Sequence, residues 1–310
     1  MAEPTRDEKI RRIWADNRLF YKLLGAAALV GIGVLVGRWI YAAPDAQQAW
    51  SYGVNLYTSI ISIGVTVLIL DELNRRRSKR DAEVELKRQL VDDAASTSNP
   101  IAVNAVHQLS RKGWLQGDNG LLKGADLRLA NLQQAFLLDA NLKGARLIDA
   151  NLQEANLIAA NLQNATLSHA RLQGAILHAA NLQEAKLQGA KLNKANLSRT
   201  NLNKAVLTDA NLAETILYGA DLREANLNIA NMQGALLGGA TLCGADLYNA
   251  NLQGAHLITD DREEARFDEM TVLPDGSYWS LETVMERYTD PYHPNFWQSP
   301  YLKWRGGDEE

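Results

Sequence analysis

From Leu122 to Leu257 the chain places leucine at every fifth residue, 28 positions in one register with Met232 the single exception. Two residues before each of these stands Ala, apart from Gly120, Thr200 and Thr215. Ala265 and Phe267 keep the phase after a gap at Asp260. An α-helix turns about 100° per residue, so a step of five displaces each leucine by roughly 140° and leaves no stripe. A flat strand fails because five is odd and successive leucines point to opposite faces. Both failures disappear if the chain bends once per repeat. Ala and Leu then face inward together, and each bend resets the phase.

The runs "ANL" and "ADL" and their variants, from residue 120 to 259, resemble the pentapeptide-repeat family. That resemblance implies an all-β solenoid, a right-handed quadrilateral parallel β-helix with four repeats per coil and about seven coils. At about 4.8 Å between stacked strands such a shaft is roughly 34 Å long. Both ends would expose unpaired edges and need caps. Ile101, Ala105, Val106 and Leu109 lie at helical spacing behind Asn99, Pro100 and ahead of Gly113, which predicts a capped helix against the first coil. At the other end, Pro274-Asp275-Gly276 is a turn signal, and Tyr278, Trp279, Tyr288, Phe296, Trp297 and Trp304 suggest an aromatic cap or tail.

Ahead of the repeats the composition changes. Residues 23–43 and 49–70 are almost free of charge, Arg38 being the exception, and each approaches the roughly 20 residues of a membrane span. Lys and Arg flank the pair on both outer sides and are absent from "PDAQQ" between them. The expectation is a two-helix transmembrane hairpin with both termini cytoplasmic, in a bacterial inner membrane or an equivalent internal membrane. This divides the chain into a charged N-terminus (1–22), the hairpin (23–70), a helical linker and N-terminal cap (71–119), the repeats (120–259) and a C-terminal cap with aromatic tail (260–310). Arg75, Arg76, Arg77, Lys79 and Arg80 follow the second span and read as contacts to anionic lipid headgroups.

Chemistry is sparse. Cys243 is the single cysteine, so no disulfide forms within one chain. His107, His169, His178, His256 and His293 lack zinc-site spacing. No phosphate loop, nucleophile elbow or carboxylate pair stands out, so no catalytic residue, metal or cofactor is expected. Outward positions on two opposite sides carry Asn before the Leu, which predicts amide ladders or hydrogen bonds to turn backbone. On one other side they are apolar: Phe136, Leu138, Ile158, Ile176, Ile216, Tyr218, Leu236 and Ile258. Contiguous exposed apolar area marks a contact site, for another copy, for a second protein or for the chain's own aromatic tail.

The function expected from these features is a non-enzymatic, membrane-tethered scaffold or protein-interaction platform, with membrane lipid and a protein as partners and no nucleic acid. The resemblance implies two others: a DNA mimic that binds a topoisomerase, and an organiser of envelope or glycolipid deposition. Mimicry needs an acidic surface, whereas residues 120–259 hold 11 Lys or Arg against 10 Asp or Glu.

Overall fold

The computed structural model describes Gly25, Ala28 and residues 47–258 and 265–300, with 47–57 described by backbone only. The chain forms two compact units, Met1–Glu85 and Leu86–Glu310.

Among the described residues no helix is long and apolar enough to cross a membrane. The first expected span, 23–43, lies outside the described residues apart from Gly25 and Ala28. The second, 49–70, belongs to α1 (Gln47–Ala94), a single helix of 48 residues. Thr58, Ser59, Ser62 and Thr66 interrupt that stretch. The transmembrane hairpin, the multi-pass membrane location with cytoplasmic termini and the membrane-anchored form of the family resemblance are corrected accordingly.

The second expectation to be corrected is the all-β class. Among the described residues no β-strand forms; the regular elements are α1, α2 (Asn99–Arg111) and the single-turn α3 (Glu286–Thr289). Between residues 126 and 272 the chain instead makes isolated one-residue parallel bridges, from Asp126↔Arg146 through Asn251↔Val272, nearly all between residues twenty apart. The physical reason is the shortness of the period. Each corner occupies the residues from one Leu to the next Ala, closed by an Ala N–H to Leu C=O bond such as Ala155 to Leu152 at 3.1 Å. Only the residue before the Leu remains to bridge, so a ladder never lengthens into a strand. The continuous strands of a parallel β-helix are replaced by a stack of four-cornered coils made of turns and single bridges.

Inside the stack, all 28 in-register Leu and Met side chains are at most 4% exposed, with the Ala side chains between them. The exceptions to Ala have local causes. Thr200 and Thr215 are fully buried and donate their hydroxyls to the Leu177 and Leu212 carbonyls at 2.8 and 2.6 Å. At Gly120 a Cβ would run into the Leu115 carbonyl oxygen, so the approaching linker excludes any side chain.

That linker closes the first coil. Ala102, Ala105, Val106 and Leu109 of α2 are buried against the core together with Leu90 and Ala94 of α1. Ser98, not Asn99, occupies the N-cap position. The Asn99 amide reaches across instead and donates to the carbonyl of Gln133 at 2.9 Å. Backbone carbonyls of Ser96 and Leu115 accept the N–H groups of Asn131 and Asn141. At the far end, Val272 pairs antiparallel with Tyr278, and the Phe267 and Trp279 rings stack at 6.2 Å. Trp297 packs on the core beside Tyr288, and the Ser299 hydroxyl donates to the Gly254 carbonyl.

Candidate functional site

The outer surface is best understood by following the five N–H groups of one repeat. The Leu N–H donates to the next coil, as Leu152 does to Arg171 at 2.7 Å; the N–H two residues later does the same, as Glu154 does to Gln173 at 3.0 Å. The N–H before the Leu donates to the preceding coil, as Asn151 does to Ala130 at 2.9 Å. The Ala N–H closes the corner. One remains, on the residue after the Leu. Where the residue before the Leu is Asn or Asp, its Oδ1 accepts this fifth N–H, as Asn161 does from Gln163 at 3.1 Å. All Asn and Asp at this position from Asp126 to Asn251 act in this way. The asparagines are thus mainly turn caps. A ladder bond between them does occur, from Asn151 to Asn131 at 3.0 Å.

Every second corner residue between positions 124 and 254 has a positive φ, near 54° to 74°, although two thirds of them are not glycine. Ile229, at φ 62°, is the costly case, because a β-branched side chain is sterically crowded in that conformation. It is also 53% exposed, beside the exposed Tyr248.

Several positions before the Leu give up the cap. On one side these are Phe136, Ile176, Ile216, Leu236 and His256; elsewhere they include Arg171, Lys186 and Lys191. The expected apolar row proves discontinuous. Phe136, Leu138, Ile176 and Tyr218 are exposed, Ile158, Ile216 and Ile258 half-buried, and Leu236 buried. Asn156 and Asn196 stand between Phe136, Ile176 and Ile216 in the bridged column. The expectation of a single apolar β-helix face for a partner or another copy is therefore corrected to separate apolar points on a polar surface. Arg75, Arg76, Arg77, Lys79 and Arg80 are exposed along α1; Arg75 pairs with Asp71 at 2.7 Å and Arg76 with Glu72 at 3.3 Å. Membrane lipid as their partner falls with the membrane span.

Charge is balanced in sum but not in place. Residues 162–205 hold Arg171, Lys186, Lys191, Lys194, Arg199 and Lys204 against Glu184 alone. Within the repeats, residues 206–259 hold 5 Asp or Glu against Arg223 alone, and residues 260–310 add 13 against 5 Lys or Arg. Lys194 and Lys204 reach Glu214 and Glu224 in the next coil at 3.8 and 3.5 Å. Arg223 holds Asp221 at 2.7 Å, and this hydrogen bond lowers the Asp221 carboxyl below its ordinary range despite opposing burial. Summing charge over all the repeats concealed this division; counting coil by coil would have revealed it.

Among the described residues no three His, Cys, Asp or Glu side chains form a group able to hold a metal. His256 is buried, and desolvation lowers its pKa from the ordinary 6.5. Cys243 is half-buried and free.

The comparisons with known proteins agree with the period. The family model for pentapeptide repeats matches residues 125–164, 160–199, 190–228 and 230–258. HetL, a pentapeptide repeat protein involved in heterocyst differentiation regulation from the cyanobacterium Nostoc sp. strain PCC 7120, is 32% identical, over 51% of this chain and 86% of HetL, with a TM-score of 0.21. A second Nostoc pentapeptide repeat protein, alr5209, is 32% identical over 36% of this chain and 79% of its own, with a TM-score of 0.24. QnrB1, a plasmid-mediated fluoroquinolone resistance protein, is 22% identical over 44% and 77%, with a TM-score of 0.22. No curated protein matches in sequence. The repeat match and the 32% identity to HetL over 86% of its length point to one family. The chain belongs to the pentapeptide-repeat family.

Proposed function

We propose that the protein is a binding module that engages a protein partner through the outer surface of its repeats. The membrane-tethered scaffold and the organiser of envelope or glycolipid deposition are set aside with the membrane anchor. What supports this reading is where the repeat departs from its own hydrogen-bond rule. A residue that gives up a turn cap for an exposed apolar side chain sacrifices stability locally, and such departures are expected where a surface is used. Phe136, 64% exposed, and Ile176, 38% exposed, are two such residues, with Leu138 and Tyr218 nearby in sequence register. Large aromatic and aliphatic side chains of this kind serve as interface anchors. The test is cross-linking of the full chain in its native extract, comparing wild type with Phe136→Asp plus Ile176→Asp. A partner captured by the wild type should be lost from the double variant while its circular dichroism is unchanged. Equal capture by both overturns the reading.

A second reading is favoured by the acidic segment 206–310: the module occupies the DNA site of a nucleic-acid-binding protein such as a topoisomerase. It predicts inhibition of supercoiling that duplex DNA relieves by competition. Supercoiling unaffected by excess protein excludes it.

A further inference from the structure

One edge of the stack separates its charges along its length. In the third and fourth coils it carries Arg171, Lys186 and Lys191, all exposed. Arg171 and Lys191 bridge directly, one coil apart, so two cations stack side by side. Like charges so placed are destabilising. Among the described residues none of the three has a carboxylate partner: Arg171 donates to the Gln153 side-chain oxygen at 2.7 Å, and the ion pairs of this region belong to Lys194 and Lys204. Each of the three also replaces a capping Asn or Asp. Towards the other end, the same edge carries Asp209, Asp246, Asp268 and Glu269, with Arg266 the one cation among them. Asp268 is fixed there by accepting the Asn249 N–H at 2.8 Å. Between these acids stand the exposed Ile229 and Tyr248, the isoleucine in its strained corner.

We propose that two copies of the chain associate along this edge, antiparallel, so that the Arg171–Lys186–Lys191 cluster of each meets the acidic, Ile229- and Tyr248-bearing stretch of the other. The edge is self-complementary under a two-fold axis, as an isologous interface requires. The basic and acidic stretches are about three coils apart, roughly 14 Å at 4.8 Å per coil, so reversing one copy brings both pairs into register about the fifth to sixth coil. Ile229 and Tyr248 supply apolar contact between the charged positions, and the cost of holding isoleucine in that corner is offset when it is covered. This edge is distinct from the column that carries Phe136 and Ile176, so a partner protein and a second copy bind without competing.

The test is light scattering on the full chain during size exclusion, at about 50 mM and about 1 M salt, where the screening length falls to about 3 Å. The wild type should be dimeric at low salt and shift to monomer at high salt. Lys186→Glu plus Lys191→Glu should be monomeric at low salt, and so should Asp246→Lys plus Glu269→Lys. Mixing the two variants should restore a one-to-one dimer, a result that misfolded proteins would not give. A wild type that stays monomeric at low salt overturns the proposal. So does a dimer indifferent to salt, or a failure of the two folded variants to pair.

Discussion

Removing the cap at Asn181 and adding one at position 191 reads the turn-cap rule in both directions. Asn181 Oδ1 accepts the Gln183 N–H at 3.1 Å in a part-buried setting. Asn181→Ala leaves that donor to water and should cost about 1 kcal/mol, the usual net worth of one intramolecular hydrogen bond. At position 191 the same accounting runs in reverse. Lys191 offers no acceptor to the Asn193 N–H and stacks on Arg171. Lys191→Asn should therefore gain about 0.5–1.5 kcal/mol from a new cap, the repulsion from Arg171 being screened at high salt. Urea unfolding at high salt gives both values, read from the midpoint at unchanged slope. A Lys191→Asn variant no more stable than wild type, beside a costly Asn181→Ala, would refute the claim that the cap is a free-standing contribution of each repeat.

Three further outcomes follow from single sites. Gly120→Ala should destabilise by about 1–3 kcal/mol in thermal unfolding, because its Cβ drives into the Leu115 carbonyl that accepts the Asn141 N–H. Ile229→Asn, measured at high salt, should raise stability by about 0.5–1 kcal/mol, since Asn accepts a positive φ that isoleucine resists. His256 is kept neutral by burial, so below its ordinary pKa of 6.5 the unfolded chain binds the extra proton and the folded one does not. Stability should fall as pH drops from 6.5 towards the lower folded value, and His256→Asn should lose that component of the pH dependence in parallel melts.

Much of the interior was legible because leucine at every fifth residue admits few geometries. The corner was not. Its positive φ falls on Leu129, His169, Lys194 and Ile229 as readily as on glycine, so composition gave no signal. The asparagines were visible as a pattern, but deciding between ladder and cap requires knowing which N–H lacks a partner. Strand content was overread, because a twenty-residue return with one bridge per side satisfies the same hydrogen bonds without a strand. The uncharged stretch 49–70 read as a membrane span, whereas it belongs to one long helix in which threonines and serines break the described apolar run. At the surface, the apolar column looked continuous until the burial of Leu236 and the bridging Asn156 and Asn196 were seen. Charge segregation was present in the sequence throughout, hidden by adding coils of opposite sign.

Residue-resolved amide hydrogen exchange tests the hydrogen-bond accounting most directly. Within the inner coils, four N–H groups of every five should exchange slowly, and the fifth should follow the preceding side chain. Gln163, Gln183 and Asn203, capped by Asn161, Asn181 and Asn201, should be slower than Leu138, Gln173 and Asn193. Equal protection at these two sets, or slow amides recurring at helical spacing through residues 126–251, would contradict the account.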